Sequence, residues 1–294
     1  SQAWRTEQDL AAEKHVFRLP QAAVDGTRTE LSLAGIWQFA RFDEPGALRD
    51  RLGPIDSIDA APALHWTSLR VPGDRNKLRP DLADCHRFLY RTRVFVPASH
   101  KGRSFYLDVP EQNMIATVFV NGQRCGFTRA PYARWITDLT RAIKPGEENE
   151  IVIGIKDEFY GVSPELVGGP ARSRWHSPLR GNAGYLTNIM DMPVALMWHA
   201  GILDRPLLVS AGSCYTADVF PQTSVSDETI KVDITLRNPG DRPATVSVRN
   251  EIMPWQGGDV EKRLAARTAT IPAGGETSLA LTEDWADPDL WWPD

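Results

Sequence analysis

Phe88-Leu89-Tyr90-Arg91-Thr92-Arg93-Val94-Phe95-Val96-Pro97 is an extended run in which Phe88, Tyr90, Thr92, Val94 and Val96 share one face. It is followed by Ser104-Phe105-Tyr106-Leu107-Asp108-Val109 and by Ile115-Ala116-Thr117-Val118-Phe119-Val120. The third run ends in Asn121-Gly122 and continues at once as Gln123-Arg124-Cys125-Gly126-Phe127. Two extended runs joined by Asn-Gly predict a tight hairpin, because both turn residues must tolerate positive φ. Gly146-Glu147-Glu148-Asn149 then leads into Glu150-Ile151-Val152-Ile153-Gly154-Ile155-Lys156-Asp157. Short alternating runs bounded by turn residues predict an all-β sandwich built around residues 88–157.

Outward from this centre the same reading continues. Residues 6–15 read as a short helix in an N-terminal arm (1–26) lying over the first domain, and residues 31–42 as a first strand. Glu44 to Leu52 reads as a short helix, 53–64 as a loop, 65–72 as a strand and 74–87 as a loop. Residues 159–199 break the pattern. Long ordered loops tend to be functional, and a surface insertion is the plain alternative. Residues 202–210 close the first domain. From Cys214 five short strands (215–222, 230–237, 244–253, 266–271 and 277–282) are separated by turns such as Asn238-Pro239-Gly240-Asp241. That spacing predicts an immunoglobulin-like sandwich. The expected organisation is therefore an arm (1–26), a jelly-roll domain (27–212), an immunoglobulin-like β-sandwich (213–284) and a linker (285–294).

The 294 residues suffice for about two domains. With 42% hydrophobic and 24% charged residues the composition is that of a folded globular protein. The net charge of −5 argues against a nucleic-acid partner. The uncharged stretch 192–203 is shorter than the ~20 residues of a membrane span, so no membrane partner is expected. Cys85, Cys125 and Cys214 are widely spaced and read as structural thiols, with one disulfide as the alternative in an exported protein. No phosphate loop, dinucleotide fingerprint, nucleophile elbow or clustered metal-ligand pattern occurs, so neither a cofactor nor a metal is expected. Trp37, Trp66 and Trp135 read as core.

Several of these pieces also carry a resemblance. Residues 89–97, Val118-Phe119-Val120-Asn121-Gly122, the series Tyr132…Trp135…Thr137-Asp138-Leu139-Thr140, and Pro145-Gly146…Asn149 resemble the N-terminal jelly roll of glycoside hydrolase family 2. Leu33-Ala34-Gly35-Ile36-Trp37-Gln38-Phe39, Val71-Pro72-Gly73-Asp74 and Ala200-Gly201-Ile202-Leu203-Asp204-Arg205-Pro206 flank it in the matching order. The family comprises retaining β-galactosidases, β-glucuronidases and β-mannosidases. Their two catalytic glutamates sit about 5–5.5 Å apart on a TIM barrel that follows the sandwiches. No residue of this chain inherits either role, so no catalytic residue is assigned.

The resemblance implies a non-catalytic N-terminal portion that supports the barrel and walls one side of its sugar pocket. Its partners would be a carbohydrate (glycoside), the barrel of the same protein and, through an exposed apolar patch, a second copy in a homo-oligomer. The alternative is a free-standing carbohydrate-binding or structural/adhesion protein. A periplasmic or secreted location is favoured over a cytoplasmic one.

Sugar contact is assigned to Trp198, His199, Asp74, Asn76 and Asp191, with Trp175, His176 and Arg180 as further surface candidates. Trp198 and His199 stand where the family meets the sugar, and an aromatic face can stack on a pyranose. The family commonly carries a carboxylate six positions before the Gly of the Gly-Ile segment, where this chain has Ala195. That departure points away from galactosidase or glucuronidase specificity, and Asp191 is the nearby acid that a re-routed loop could bring in.

Overall fold

A computed structural model describes residues 6–23, 28–42, 53–82, 85–157, 199–286 and 288–290. The expected helix at 44–52 lies outside them, as do Trp175, His176, Arg180, Asp191, Ala195 and Trp198. The chain divides into two compact units, Ser1–Lys101 with Phe105–Ser210, and Gly102–Ser104 with Ala211–Asp294.

In the first unit the order is α1 (Glu7–Lys14), β1 (Phe17–Arg18), β2 (Thr29–Ser32), β3 (Gly35–Arg41), β4 (Thr67–Val71), α2 (Arg75–Leu78), β5 (Arg87–Phe95), β6 (Ser104–Val109), β7 (Gln112–Asn113), β8 (Ile115–Val120), β9 (Gln123–Thr128), β10 (Trp135–Asp138), β11 (Glu148–Lys156), β12 (Gly201–Ile202) and β13 (Leu207–Ala211). One sheet runs β4-β3-β5-β11-β8-β9, with β1 added parallel to β5. The second runs β10-β6-β13-β2. The antiparallel order places strands distant in sequence side by side, as β11 between β5 and β8 shows. The expected face of β5 is inside: Phe88, Tyr90 and Val94 are fully buried, together with Trp37, Leu107, Val118 and Ile153. The Asn121-Gly122 turn has φ of 51° and 80°, the left-handed pair that an Asn-Gly hairpin requires.

The structure corrects several local expectations. Residues 31–42 form two strands in different sheets, since the chain leaves β2 at Leu33 and enters β3 at Gly35. Residues 74–87, expected as loop, hold the helical turn α2, capped by the Asp74 side chain. Trp37 and Trp66 are buried, but Trp135 is only half-buried at the edge of the core. The outer face of the large sheet is covered as well. Ile55, Ile58, Ala61 and Trp66 pack there on Ala40, Leu89, Phe119 and Val152. Lys156 Nζ donates to the carbonyl of Gly53 (2.9 Å), and the Ile55 amide to Thr117 Oγ1 (2.9 Å). Arg91 lies 3.8 Å over the Trp66 ring, capping this second layer.

The arm is anchored by several contacts. Thr6 and Asp9 form a reciprocal capping box at the start of α1. The Leu19 amide donates to the Phe95 carbonyl (3.0 Å). The fully buried His100 donates from Nε2 to the Pro20 carbonyl (2.7 Å) and meets Ser210 Oγ at 2.8 Å through Nδ1.

Asn149 explains why two turns far apart in sequence stay together. Its Oδ1 accepts from the Lys144 amide (2.7 Å) and from Asn121 Nδ2 (2.8 Å). Its Nδ2 donates to the carbonyls of Lys144 (3.1 Å) and Glu147 (3.0 Å). Asn121 in turn accepts from the Glu150 amide and donates to the Ala142 carbonyl. With Asn149 fully buried, Asn149→Ala strands these backbone groups and is expected to cost about 2–3 kcal/mol in urea unfolding. Asn149→Asp should recover little, because a carboxylate replaces the donor.

The second unit contains β14 (Tyr215–Ser224), β15 (Thr229–Arg237), β16 (Ala244–Ile252), β17 (Lys262–Ile271) and β18 (Glu276–Asp284). Sheet order is β14-β15-β18 in one layer and β16-β17 in the other. Ile230, Val232, Ile234 and Leu236 of β15 bury alternate positions against Leu264, Ala269, Ile271 and Leu281. The described residues are thus β-sandwich material, with helix confined to short pieces.

Candidate functional site

The candidate site lies where the turn after β4 meets β12. The Gly73 amide donates to the Ile202 carbonyl (2.8 Å), and the Arg75 amide to the Ala200 carbonyl (2.7 Å). Asp74, between them, uses both carboxylate oxygens. Oδ1 caps α2 by accepting from the Asn76 amide (3.0 Å), and it also accepts from the Ala200 amide (3.2 Å). Oδ2 lies 2.9 Å from His199 Nδ1. An ionised carboxylate can only accept, so the His199 proton on this side sits on Nδ1. The Asp74 side chain is 9% exposed and that of His199 42%. The acid is sunk and the imidazole faces out.

Two further residues frame His199. Asn113 of β7 pairs across from Gly201 of β12 and is buried. Its Nδ2 donates to the His199 carbonyl and to Tyr132 Oη (3.1 Å). Gly201 has φ +126°, and a Cβ there would lie 2.6 Å from Tyr90 Oη and 3.1 Å from the Gly73 carbonyl. Only glycine fits this approach. Tyr90 Oη is buried with no hydrogen-bond partner among the described residues, and burial drives its phenol well above the usual tyrosine range.

Beneath the turn, the Arg75 guanidinium is completely buried. Nη2 donates to Asp157 Oδ2 (2.9 Å), Nη1 donates to the Leu82 carbonyl, and the group lies 4.8 Å over the Phe88 ring. His86 Nδ1 meets both Asp157 oxygens at 3.2 Å. This pair ties the Asp74 turn to the end of β11.

Of the residues expected at a sugar, Asp74 and His199 are brought together. Asn76 is wholly buried in α2, so its side chain faces the interior. Trp198 and Asp191 lie outside the described residues. Asn113, Tyr90, Arg75 and Asp157 were not anticipated. Their signal was weak: an Asn before a strand, a Tyr within one and charges beside turns look ordinary until tertiary contacts pair them. Among the described residues no three His, Cys, Asp or Glu side chains gather as a metal site. The cysteines are free thiols, with Cys85 buried and the Cys125 thiol pushed up to about 11 by burial.

Residues 73–174 match the family model described as glycosyl hydrolase 2 galactose-binding domain-like. A β-glucuronidase of Formosa agariphila is 23% identical over 207 residues, covering 69% of this chain and 20% of that protein. Among solved structures, Bacteroides uniformis β-glucuronidase superposes with a TM-score of 0.60 at 16% identity, over 90% of this chain and 29% of that one. A family 2 β-galacturonidase from Eisenbergiella tayi gives 0.56 at 15% identity, over 88% and 37%. At such identities the superpositions establish the fold. The chain spans between a fifth and two-fifths of the length of these proteins. Residues 73–174 thus match the galactose-binding-like domain of glycoside hydrolase 2, and the relative and the superposed folds are similar over a wider part of the chain.

Proposed function

We propose that the chain is the non-catalytic N-terminal portion of a longer family 2 glycosidase, and that the Asp74–His199 corner touches the sugar bound by its catalytic domain. The observation that supports this is the held imidazole. With Nδ1 donating to Asp74, the half-exposed His199 ring keeps Nε2 as an acceptor whenever it is neutral. Such a nitrogen accepts a hydrogen bond from a sugar hydroxyl, and the protonated ring donates to a uronate carboxylate. The likeness to a β-glucuronidase keeps β-uronides among the substrate classes to try, although Ala195 stands where the family commonly carries a carboxylate.

One wall of a pocket supplies only part of its affinity, so a dissociation constant of roughly 1 mM or weaker is expected. The ¹⁵N-histidine-labelled chain should be titrated with methyl β-glucuronide, galacturonide, galactoside and mannoside. One of them should shift the His199 ring signals saturably, and His199→Ala and Asp74→Ala should abolish the saturable response. The chain alone should hydrolyse none of the matching p-nitrophenyl glycosides. If no glycoside shifts the ring, or if the saturable response survives in Asp74→Ala, sugar contact at this corner is wrong.

A further inference from the structure

We infer that Asn113 is a positioning residue for His199, acting with Asp74 to grip one peptide plane from both sides; the functional weight of this rests on His199 being the sugar-facing group. The plane is the peptide linking His199 to Ala200. Its carbonyl accepts from Asn113 Nδ2, and its N–H donates to Asp74 Oδ1 at 3.2 Å. A peptide held at both polar ends resists rotation, which fixes the His199 Cα from which the side chain leaves the backbone. Asp74 Oδ2 then takes Nδ1 of the same residue at 2.9 Å. Three tethers from two side chains therefore hold the His199 backbone and the Nδ1 edge of its ring. Asn113 is suited to the task because it is only 2% exposed. Its second amide proton is directed to Tyr132 Oη at 3.1 Å, which keeps the first aimed at the carbonyl. Tyr132 itself sits at φ 55°, a left-handed conformation uncommon for a bulky residue. Sugar-pocket precision would thus come from a residue that touches no sugar.

The test reads the His199 tautomer directly, through the ¹⁵N shifts of its ring in the full chain. The native protein should show one neutral form, with the proton on Nδ1. Asn113→Ala, with fold verified by its amide spectrum, should raise the minor Nε2–H form about fivefold to tenfold, as expected for losing one hydrogen bond. Asn113→Gln, which keeps the amide but misplaces it, should not rescue. Tyr132→Phe removes the hydroxyl that accepts from Asn113 Nδ2 and should raise the minor form by a smaller factor. An unchanged tautomer ratio in folded Asn113→Ala overturns the inference. If that variant does not fold, an unchanged ratio in Tyr132→Phe overturns it instead. A native chain that holds the tautomer yet answers to no glycoside would sink the proposed sugar contact while leaving this positioning role intact.

Discussion

Asp157→Ala is expected to destabilise the first unit by about 3–5 kcal/mol, because it strands the Arg75 guanidinium in the core. Both side chains of this ion pair are fully buried. A buried charge without its partner retains the whole desolvation cost and loses the attraction that offset it. For a unit of this size the shift corresponds to a fall of roughly 10 °C in the first unit's melting temperature. The Leu82 carbonyl and the Phe88 ring remain as neighbours of the guanidinium, but neither carries a negative charge. Replacing both partners gives the opposite arithmetic: Arg75→Met with Asp157→Leu removes two charges and substitutes apolar volume. The double variant should recover most of the loss in thermal or urea unfolding, because the penalty belongs to the unpaired charge and not to the absence of a bridge. If Asp157→Ala melts within about 2 °C of the native chain, the pair is not the buried anchor described here.

Gly201→Ala has the second largest expected effect, about 2–4 kcal/mol, because it combines backbone strain with a steric contact. The native φ of +126° is one that residues with a Cβ rarely adopt. The added carbon would also meet Tyr90 Oη at 2.6 Å and the Gly73 carbonyl at 3.1 Å. A Tyr90→Phe background separates these terms. Alone, Tyr90→Phe deletes a buried hydroxyl with no partner among the described residues, so it should be neutral or stabilising by up to about 1 kcal/mol. Combined with Gly201→Ala it should relieve the side-chain clash and leave the φ penalty, giving a partial rescue in denaturant titrations. A Gly201→Ala variant as stable as the native chain would show that β12 can move away from β5 at little cost. Because Gly201 stands two residues from His199, the variant should also disturb the imidazole signals.

Much of the architecture was legible because its determinants are local. Asn121-Gly122 specifies a left-handed two-residue turn whatever lies elsewhere, and it folds as one. Alternation in 230–237 names the buried set Ile230, Val232, Ile234 and Leu236 without reference to its partners. The capping pair Thr6 and Asp9 starts α1 from within a single turn. Where local pattern and tertiary context differed, context prevailed. Ile115–Val120 is buried at every position, on both faces, because the 53–66 segment covers the side that a simple sandwich would leave wet. Nothing within six residues could reveal that cover, since Ile55 reaches Thr117 across 62 positions.

The candidate site divides along the same line. That Asp74 and His199 are polar residues beside Gly-rich turns could be read from the chain, and so could the type of chemistry each brings. That they meet, 125 positions apart, could not. The same holds for Asn113 and His199 and for Arg75 and Asp157, whose contacts exist only once β5, β7, β11 and β12 converge. The sequence by itself determined which segments extend, where they turn and which faces are apolar, because these follow from steric preference and periodicity over a few residues. Tertiary structure alone decided which polar groups become partners, since a buried carboxylate, amide or guanidinium is satisfied by whatever the fold carries to it.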